Sequence, residues 1–479
     1  MKTDSGLITR RQMLQAFGIT ASAAWLAACA PAVAPASAPE VETQSEALAG
    51  VMNDEIGAYI AQTDASGVVT FPNGWGGSRI PMMDEQVAAF NSFYPNIEVK
   101  STVYKTDDLE KTHLTSIAAG TPDNAIMLRA DAIAFFVEQG ALMPLDELIA
   151  RDEMDVDAIF YKAEIDTRRW DSQVYGLPNV LGGTRHLYWW NQGLFEEAGL
   201  DPQTAPQTWA DLDEYADIVR TATPDRFLLE HNHTAGSHPP LLVWLMNNNG
   251  SYISDDLSEI TFNSDEGIAA AEWMLQFAQR QADSYELMAA TEARRMDSLE
   301  AATWAAGRYL SATAGVPYFA QLAEAAPDLN YGVGLLPYNG ANPDARTATP
   351  AYAGWSYCIP TGAQDVDAAW EWIKYTCGGQ GQFNFMAAQT RPAVVRAFNE
   401  DPAIRGDNPW WDVVIADLEA SLPVPVMPVY PQIRDLMYDI TEEVLFEKKS
   451  PADALNDGAA AAQKILDELI DLRDDGGGG

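Results

Sequence analysis

Short runs of bulky apolar residues alternate along this chain with longer stretches in which apolar positions recur every three or four residues. Val68-Val69-Thr70-Phe71 reads as a strand, and Pro72-Asn73-Gly74-Trp75-Gly76-Gly77 as the loop after it. A helix follows with Val87, Phe90 and Phe93 on one face. Ile97-Glu98-Val99 predicts a second strand, and Leu109, Leu114 and Ile117 mark a helix ending at Gly120. Asn124 to Leu128 is a third strand, after which Asp131 opens a helix carrying Phe135 and Phe136. Strands alternating with helices predict parallel pairing, with helices on the faces of the sheet. In such sheets ligands sit beyond the carboxyl ends of the strands. Trp75 and Asp131 both fall just past such ends and are expected in one cleft.

The middle of the chain carries a different signal. Leu187 to Trp190 is a dense aromatic run, too short and too β-prone for a helix, and Asn191 to Gly199 is a short helix stopped by glycine. Gly182 and Gly183 supply flexible backbone just before the run, which is expected to be a crossing between two lobes. Further on, Thr208 caps a helix striped by Trp209, Leu212, Tyr215 and Val219. Ile268, Ala271, Leu275 and Ala278 predict another core-facing helix. Ser450-Pro451 starts a last helix carrying Leu455, Ala459, Ala462, Leu466 and Leu469.

Several of these segments resemble one known family in order and spacing. Tyr175-Gly176-Leu177-Pro178 precedes the aromatic strand, and Asn191, Leu194, Phe195, Ala198, Gly199 and Leu200 follow it. Earlier come Pro122-Asp123, Asp131, Phe136, Gly140 and Pro144-Leu145-Asp146. Later come Gly307-Arg308, Asn330-Tyr331-Gly332-Val333, Leu336-Pro337, Arg391-Pro392 and Met427-Pro428. From Val68 to Leu472 the chain resembles the extracellular solute-binding proteins of ABC importers, in the group that includes maltose-binding protein. Trp304, Arg308 and Tyr318 depart from the residues that group carries there.

The resemblance implies an α/β, two-lobed periplasmic-binding-protein-like fold of type II. Each lobe would be a mixed sheet flanked by helices and discontinuous in sequence. Lobe 1 is expected at 61–185 and 357–402, lobe 2 at 186–356 and 403–472, and a disordered tail at 473–479. Tyr352 to Tyr357 would be the second crossing. It further implies a receptor that closes on a carbohydrate and delivers it to a separate permease, with no catalytic residue, cofactor or metal. The ligand-binding candidates are Trp75, Gly76, Asp131, Arg185, His238, Tyr318, Tyr352, Gly354, Trp355, Arg391 and Tyr430. Aromatic faces would cover the apolar faces of sugar rings, and carboxylate or guanidinium groups would bond their hydroxyls. Asp131 reads equally as a helix cap. Trp189, Trp190 and Trp370 read as core.

Composition narrows the partners. With 69 acidic against 29 basic residues the formal charge is −40 over 479 residues, a surface that repels nucleic acid and anionic lipid. His231, His233 and His238 offer no helix-spaced pair and no cysteine nearby, so a metal is not expected. Arg10 and Arg11 precede an apolar stretch ending at Cys29. That leader (1–28) resembles a twin-arginine export signal, and Leu26-Ala27-Ala28-Cys29 resembles a lipobox. A lipid on Cys29 would tether a receptor, expected to be a monomer, to the outer face of the cytoplasmic membrane through the Ala/Pro/Ser-rich segment 29–60. Cys358 and Cys377 are expected to be buried free thiols, although export permits a disulfide. Two other readings stay open. One is a secreted carbohydrate-active enzyme. The other is a receptor for a polyamine, peptide or phosphodiester, for which Arg129, Arg185 and Arg391 are available.

Overall fold

The computed structural model describes residues 64–184, 186–229, 238–292, 307–351, 354–425 and 427–476. The leader with Arg10 and Arg11, Cys29, the tether, Arg185, Tyr352 and Trp304 lie outside the described residues. Strand β1 (Gly67–Asn73) pairs in parallel with β2 (Ile97–Val103), and helix Arg79–Phe93 joins them. That helix buries Met83, Gln86 and Phe90, with Phe90 against Trp372 and Tyr375 of helix Val366–Cys377. Phe93, expected on the same inner face, is 66% exposed. It is the last residue of the helix and lies beyond the covered stretch.

Next come β3 (Ile126–Arg129), the small hairpin of β4 (Arg169–Trp170) and β5 (Gln173–Val174), and β6 (Leu177–Val180). A second sheet holds β7 (Leu187–Asn191), β8 (Phe227–Leu229), β9 (Tyr309–Ala314) and β10 (Tyr331–Gly334), in the order β10-β7-β9-β8. Trp189 and Trp190 of β7 are core residues. Gly332 of β10 has no room for a side chain, since a Cβ there would meet the Trp190 ring at 2.0 Å. Strand β11 (Thr349–Ala351) then leads to β12 (Trp355–Cys358), and β13 (Ser421–Pro423) pairs in parallel with β11.

Parallel pairing holds for β1–β2 and β8–β9, but β12 lies between β3 and β6 and runs antiparallel to both. The reason is topological. β12 returns from the second sheet at the edge where β6 left, so it must run the opposite way. Cys358 and Cys377 are buried free thiols, and burial pushes the Cys358 thiol up to about 12.

The terminal helix Pro451–Gly476 starts at Ser450, whose Oγ accepts the Asp453 amide at 3.1 Å. It buries Ala454, Leu455, Ala462 and Leu466 against helix Tyr430–Leu445. The ordered helix passes the expected end at Leu472, because Arg473 is held. Its guanidinium bonds Asp171 at 2.5 Å, approaches Glu138 at 3.4 Å and covers the Trp170 ring at 5.1 Å.

Three described stretches meet beside the end of β6: 181–184, Gly354 and Ser421 at the start of β13. One buried ion pair touches the first two. Glu164 accepts from the amides of Gly182 (2.9 Å) and Gly183 (2.8 Å). Arg168 bonds Glu164 at 2.9 Å and donates to Ser356 Oγ at 2.9 Å, and both side chains are almost wholly buried. The third segment packs against the first: a Cβ on Gly183 would lie 2.6 Å from Ser421 Oγ. Gly354 is equally tight, since a Cβ there would lie 2.3 Å from the Val180 carbonyl oxygen and 2.5 Å from Arg168 Nη2.

Gly354→Ala is therefore expected to cost about 1–3 kcal/mol by overpacking. Gly76→Ala, where a Cβ would meet nothing within 4 Å, is expected to leave stability unchanged. Thermal denaturation of the two variants side by side checks this; equal melting temperatures would refute it.

Candidate functional site

The site is built where the carboxyl end of β1 meets the sheet β3-β12-β6. β1 and β3 run in the same direction, for Ala125 donates to the Thr70 carbonyl and the Gly74 amide reaches Met127. β3 ends at Arg129 and β6 at Val180, and both face Trp355, the first residue of β12. The carboxyl ends of β1, β3 and β6 thus share an edge with the point where the chain crosses to the second sheet. Side chains from distant parts of the sequence meet there.

Trp75 and Trp355 are in edge-to-face contact, with ring centroids 6.2 Å apart. Trp75 is only 3% exposed. Its indole N–H donates to Tyr357 Oη at 2.8 Å, and its ring packs on Phe385 at 5.3 Å. Trp355 is half-buried and is the more accessible platform. Arg79 opens the helix after the Trp75 loop, and its guanidinium lies 5.5 Å from the Trp75 ring centre. Arg79 Nε donates to Gln389 Oε1 at 3.0 Å, and burial lowers the Arg79 pKa. That bond brings the turn bearing Arg391, which is half-buried, to the same edge.

Asp131 is buried in a 3-10 turn, Ala130–Ala132, and does not cap the helix Ile133–Glu138. The capping reading is replaced by an ion pair: Arg129 grips the carboxylate with Nε at 2.9 Å and Nη2 at 2.7 Å. The carboxylate retains lone pairs on both oxygens for further donors. Nearby Glu110 has its pKa raised by burial and by Asp131, against the opposing pull of Arg129. Gly76 lies exposed in the Trp75 loop, and Gly354 fills the tight crossing beside Arg168.

The remaining candidates do not join this group. His238 is buried, with Nδ1 sharing a hydrogen bond with His186 Nε2 at 2.7 Å. His231 and His233 lie outside the described residues. Tyr318 packs on Trp189, and Tyr430 packs on Tyr252 with no exposed surface. Both rings serve the core because each stands in the first turn of a helix that lies on it. Sequence reasoning missed Arg79, Phe385, Gln389 and Tyr357. For Arg79 a signal existed, a cation four residues after Trp75 at the start of a helix. For Phe385 and Tyr357 there was none, since they are ordinary members of core stripes.

A buried acid completes the electrostatics of the crossings. Asp417 is wholly buried, accepts from Thr349 Oγ1 at 2.6 Å, and its carboxyl is pushed up from 3.8 to about 7 by burial.

The chain belongs to the bacterial extracellular solute-binding proteins, whose family model matches residues 76–376. Its architecture is the two-lobed type II periplasmic-binding-protein fold. The sugar-binding protein MalE from Xanthomonas citri superposes with a TM-score of 0.72 at 21% identity, covering 85% of this chain and 99% of that one. The cyclic α-maltosyl-1,6-maltose binding protein from Arthrobacter globiformis gives a TM-score of 0.72 at 18% identity, covering 84% and 99%. In sequence, the sn-glycerol-3-phosphate-binding periplasmic protein UgpB of Escherichia coli is 22% identical over 440 residues, covering 85% of this chain and 94% of its own length.

The raised Asp417 carboxyl gives a pH prediction. The folded state holds this proton more tightly than the unfolded chain. Stability from it is therefore full below about pH 4 and is lost as pH rises through 7. Asp417→Asn is expected to raise the melting temperature at pH 8 by several degrees and to change it little at pH 4. Calorimetry at the two pH values checks this; an equal shift at both would refute the assignment.

Proposed function

We propose that this protein is a lipid-anchored receptor of an ABC importer. It captures a mono- or oligosaccharide between its two lobes by hinge closure and passes it unchanged to a permease. One lobe would comprise 61–185 with 357–402, the other 186–356 with 403–472. The observation that carries the reading is the constellation at the strand edge beside the crossings: Trp75 with Trp355 at 6.2 Å, next to the Arg129–Asp131 pair. Rings suit the apolar face of a sugar, and a half-satisfied carboxylate suits its hydroxyls. Family membership supports the role of a binder delivering to an importer. MalE of Xanthomonas citri and the Arthrobacter globiformis protein are by their names sugar binders with the same fold.

Ligand would favour closure only by its greater affinity for the closed state. The crossings would be the hinge, since each is a stretch of chain running from one proposed lobe to the other. Gly76, Gly354, Arg185, Tyr352, Arg391, His238, Tyr318 and Tyr430 remain proposed contributors; the last three would need to turn from their packed positions. Export would use Arg10 and Arg11, and a lipid on Cys29 would hold the receptor at the outer face of the cytoplasmic membrane.

Isothermal titration against a carbohydrate panel is the direct test. One stacked ring contributes about 0.5–1.5 kcal/mol, so Trp355→Ala is expected to weaken the sugar that binds by roughly 2- to 12-fold. Absence of heat with every sugar in the panel would end the reading. Separately, Cys29→Ala is expected to move the protein from the membrane to the soluble fraction of the envelope. If it stays with the membrane, the lipid anchor is excluded.

A further inference from the structure

Arg79 differs from several other poorly exposed arginines among the described residues. Arg129, Arg168, Arg169, Arg226 and Arg434 are each at most one-third exposed, and each has a carboxylate oxygen at 2.7–2.9 Å. The half-buried Arg79 has none within salt-bridge distance among the described residues. Its partners are the neutral Gln389 amide oxygen and the Trp75 ring. This is so although the chain has 69 acidic residues to choose from. Asp131, at the end of β3, is already paired with Arg129.

A dehydrated cation without a counter-charge is costly. A ring beneath a guanidinium returns about 0.5–2 kcal/mol and does not neutralise it. The Nε bond to Gln389 fixes the plane of the guanidinium and leaves Nη1 and Nη2 as a fork. Such a fork matches the two oxygens of a carboxylate or phosphate. It lies on the face of Trp75, beside Trp355, where a sugar ring would stack.

We propose that Arg79 recognises a negative charge carried by the solute, so that the ligand is an acidic or phosphorylated carbohydrate. This rests on the sugar-binding reading above. The ligand supplies the missing counter-charge, and Trp75 holds the guanidinium ready for it. The excess of negative charge on the rest of the surface then acts as a filter. Anionic solutes are repelled by that surface and gain at this site, and the gain is screened by salt.

The test is calorimetric titration of the mature chain with matched probes: glucuronate and glucose 1-phosphate against glucose, and digalacturonate against galactobiose. At least one anionic probe is expected to bind about ten-fold or more tightly than its neutral partner. Whether glucuronate or glucose 1-phosphate shows the preference separates carboxylate from phosphate recognition. Arg79→Gln is expected to abolish the preference, and Arg79→Lys, which keeps the charge, to retain part of it. Both variants are compared with the parent by thermal melting, so that misfolding is not read as lost binding. Equal binding within each pair, or a preference that survives Arg79→Gln, overturns the role of Arg79 and leaves sugar binding standing. If no sugar of either kind binds, both readings fall together.

Discussion

The buried pair of Glu164 and Arg168 is the constraint from which the arrangement of the two lobes follows. Separate chain segments meet beside the end of β6, and their backbone groups need partners in a dry interior. Glu164 supplies two acceptor positions to the amides of Gly182 and Gly183. Arg168 ties that carboxylate to Ser356, at the start of the returning strand. Neither ion could stand there alone, because an unpaired buried charge costs roughly 3–5 kcal/mol. The pair is thus specified from both sides, by each other's charge and by the backbone that each serves.

The same edge explains why the aromatic group forms. β1, β3 and β6 deliver the chain to it from one direction and β12 from the other. Trp75 and Trp355, nearly three hundred positions apart in sequence, become neighbours because each is the residue where a strand meets the edge. Tyr357 lies two residues inside β12 and on the same face as Trp355, in reach of the Trp75 indole. The Arg129–Asp131 pair forms at the end of β3 by the same geometry. A binding surface of this kind is a by-product of topology, and its chemistry is set by what stands at strand ends.

Much of the fold was legible in the sequence because its local rules agree. Leu187 to Trp190 reads as a strand and is one. Gly199 ends its helix with a left-handed φ of +85°, and Thr208 heads a full capping box with Asp211. The site was legible only where position along a strand carried the information, as for Trp75, Asp131 and Trp355. Tyr318 and Tyr430 show the limit of that signal, since an aromatic beside a turn faces the core as readily as the cleft. Glu164 and Arg168 show another. An acid and a base four apart usually mark an exposed helix face, and no feature of the sequence distinguishes this pair from one on the surface. Arg79 has its sequence signal, four residues after Trp75 at a helix start, but what sets it apart, the absence of a carboxylate, exists only in three dimensions.

The terminal helix has a mechanical consequence. Most of its length lies along helix Tyr430–Leu445, yet its last turn is fastened through Arg473 to Trp170, Glu138 and Asp171, which belong with the first sheet. Any rotation that parts these two groups of elements must first peel that turn away. Half-exposed ion pairs resist by only about 0–1 kcal/mol each. In the proposed hinge closure the last turn would therefore act as a light friction pad, slowing the swing of one jaw without deciding where it comes to rest.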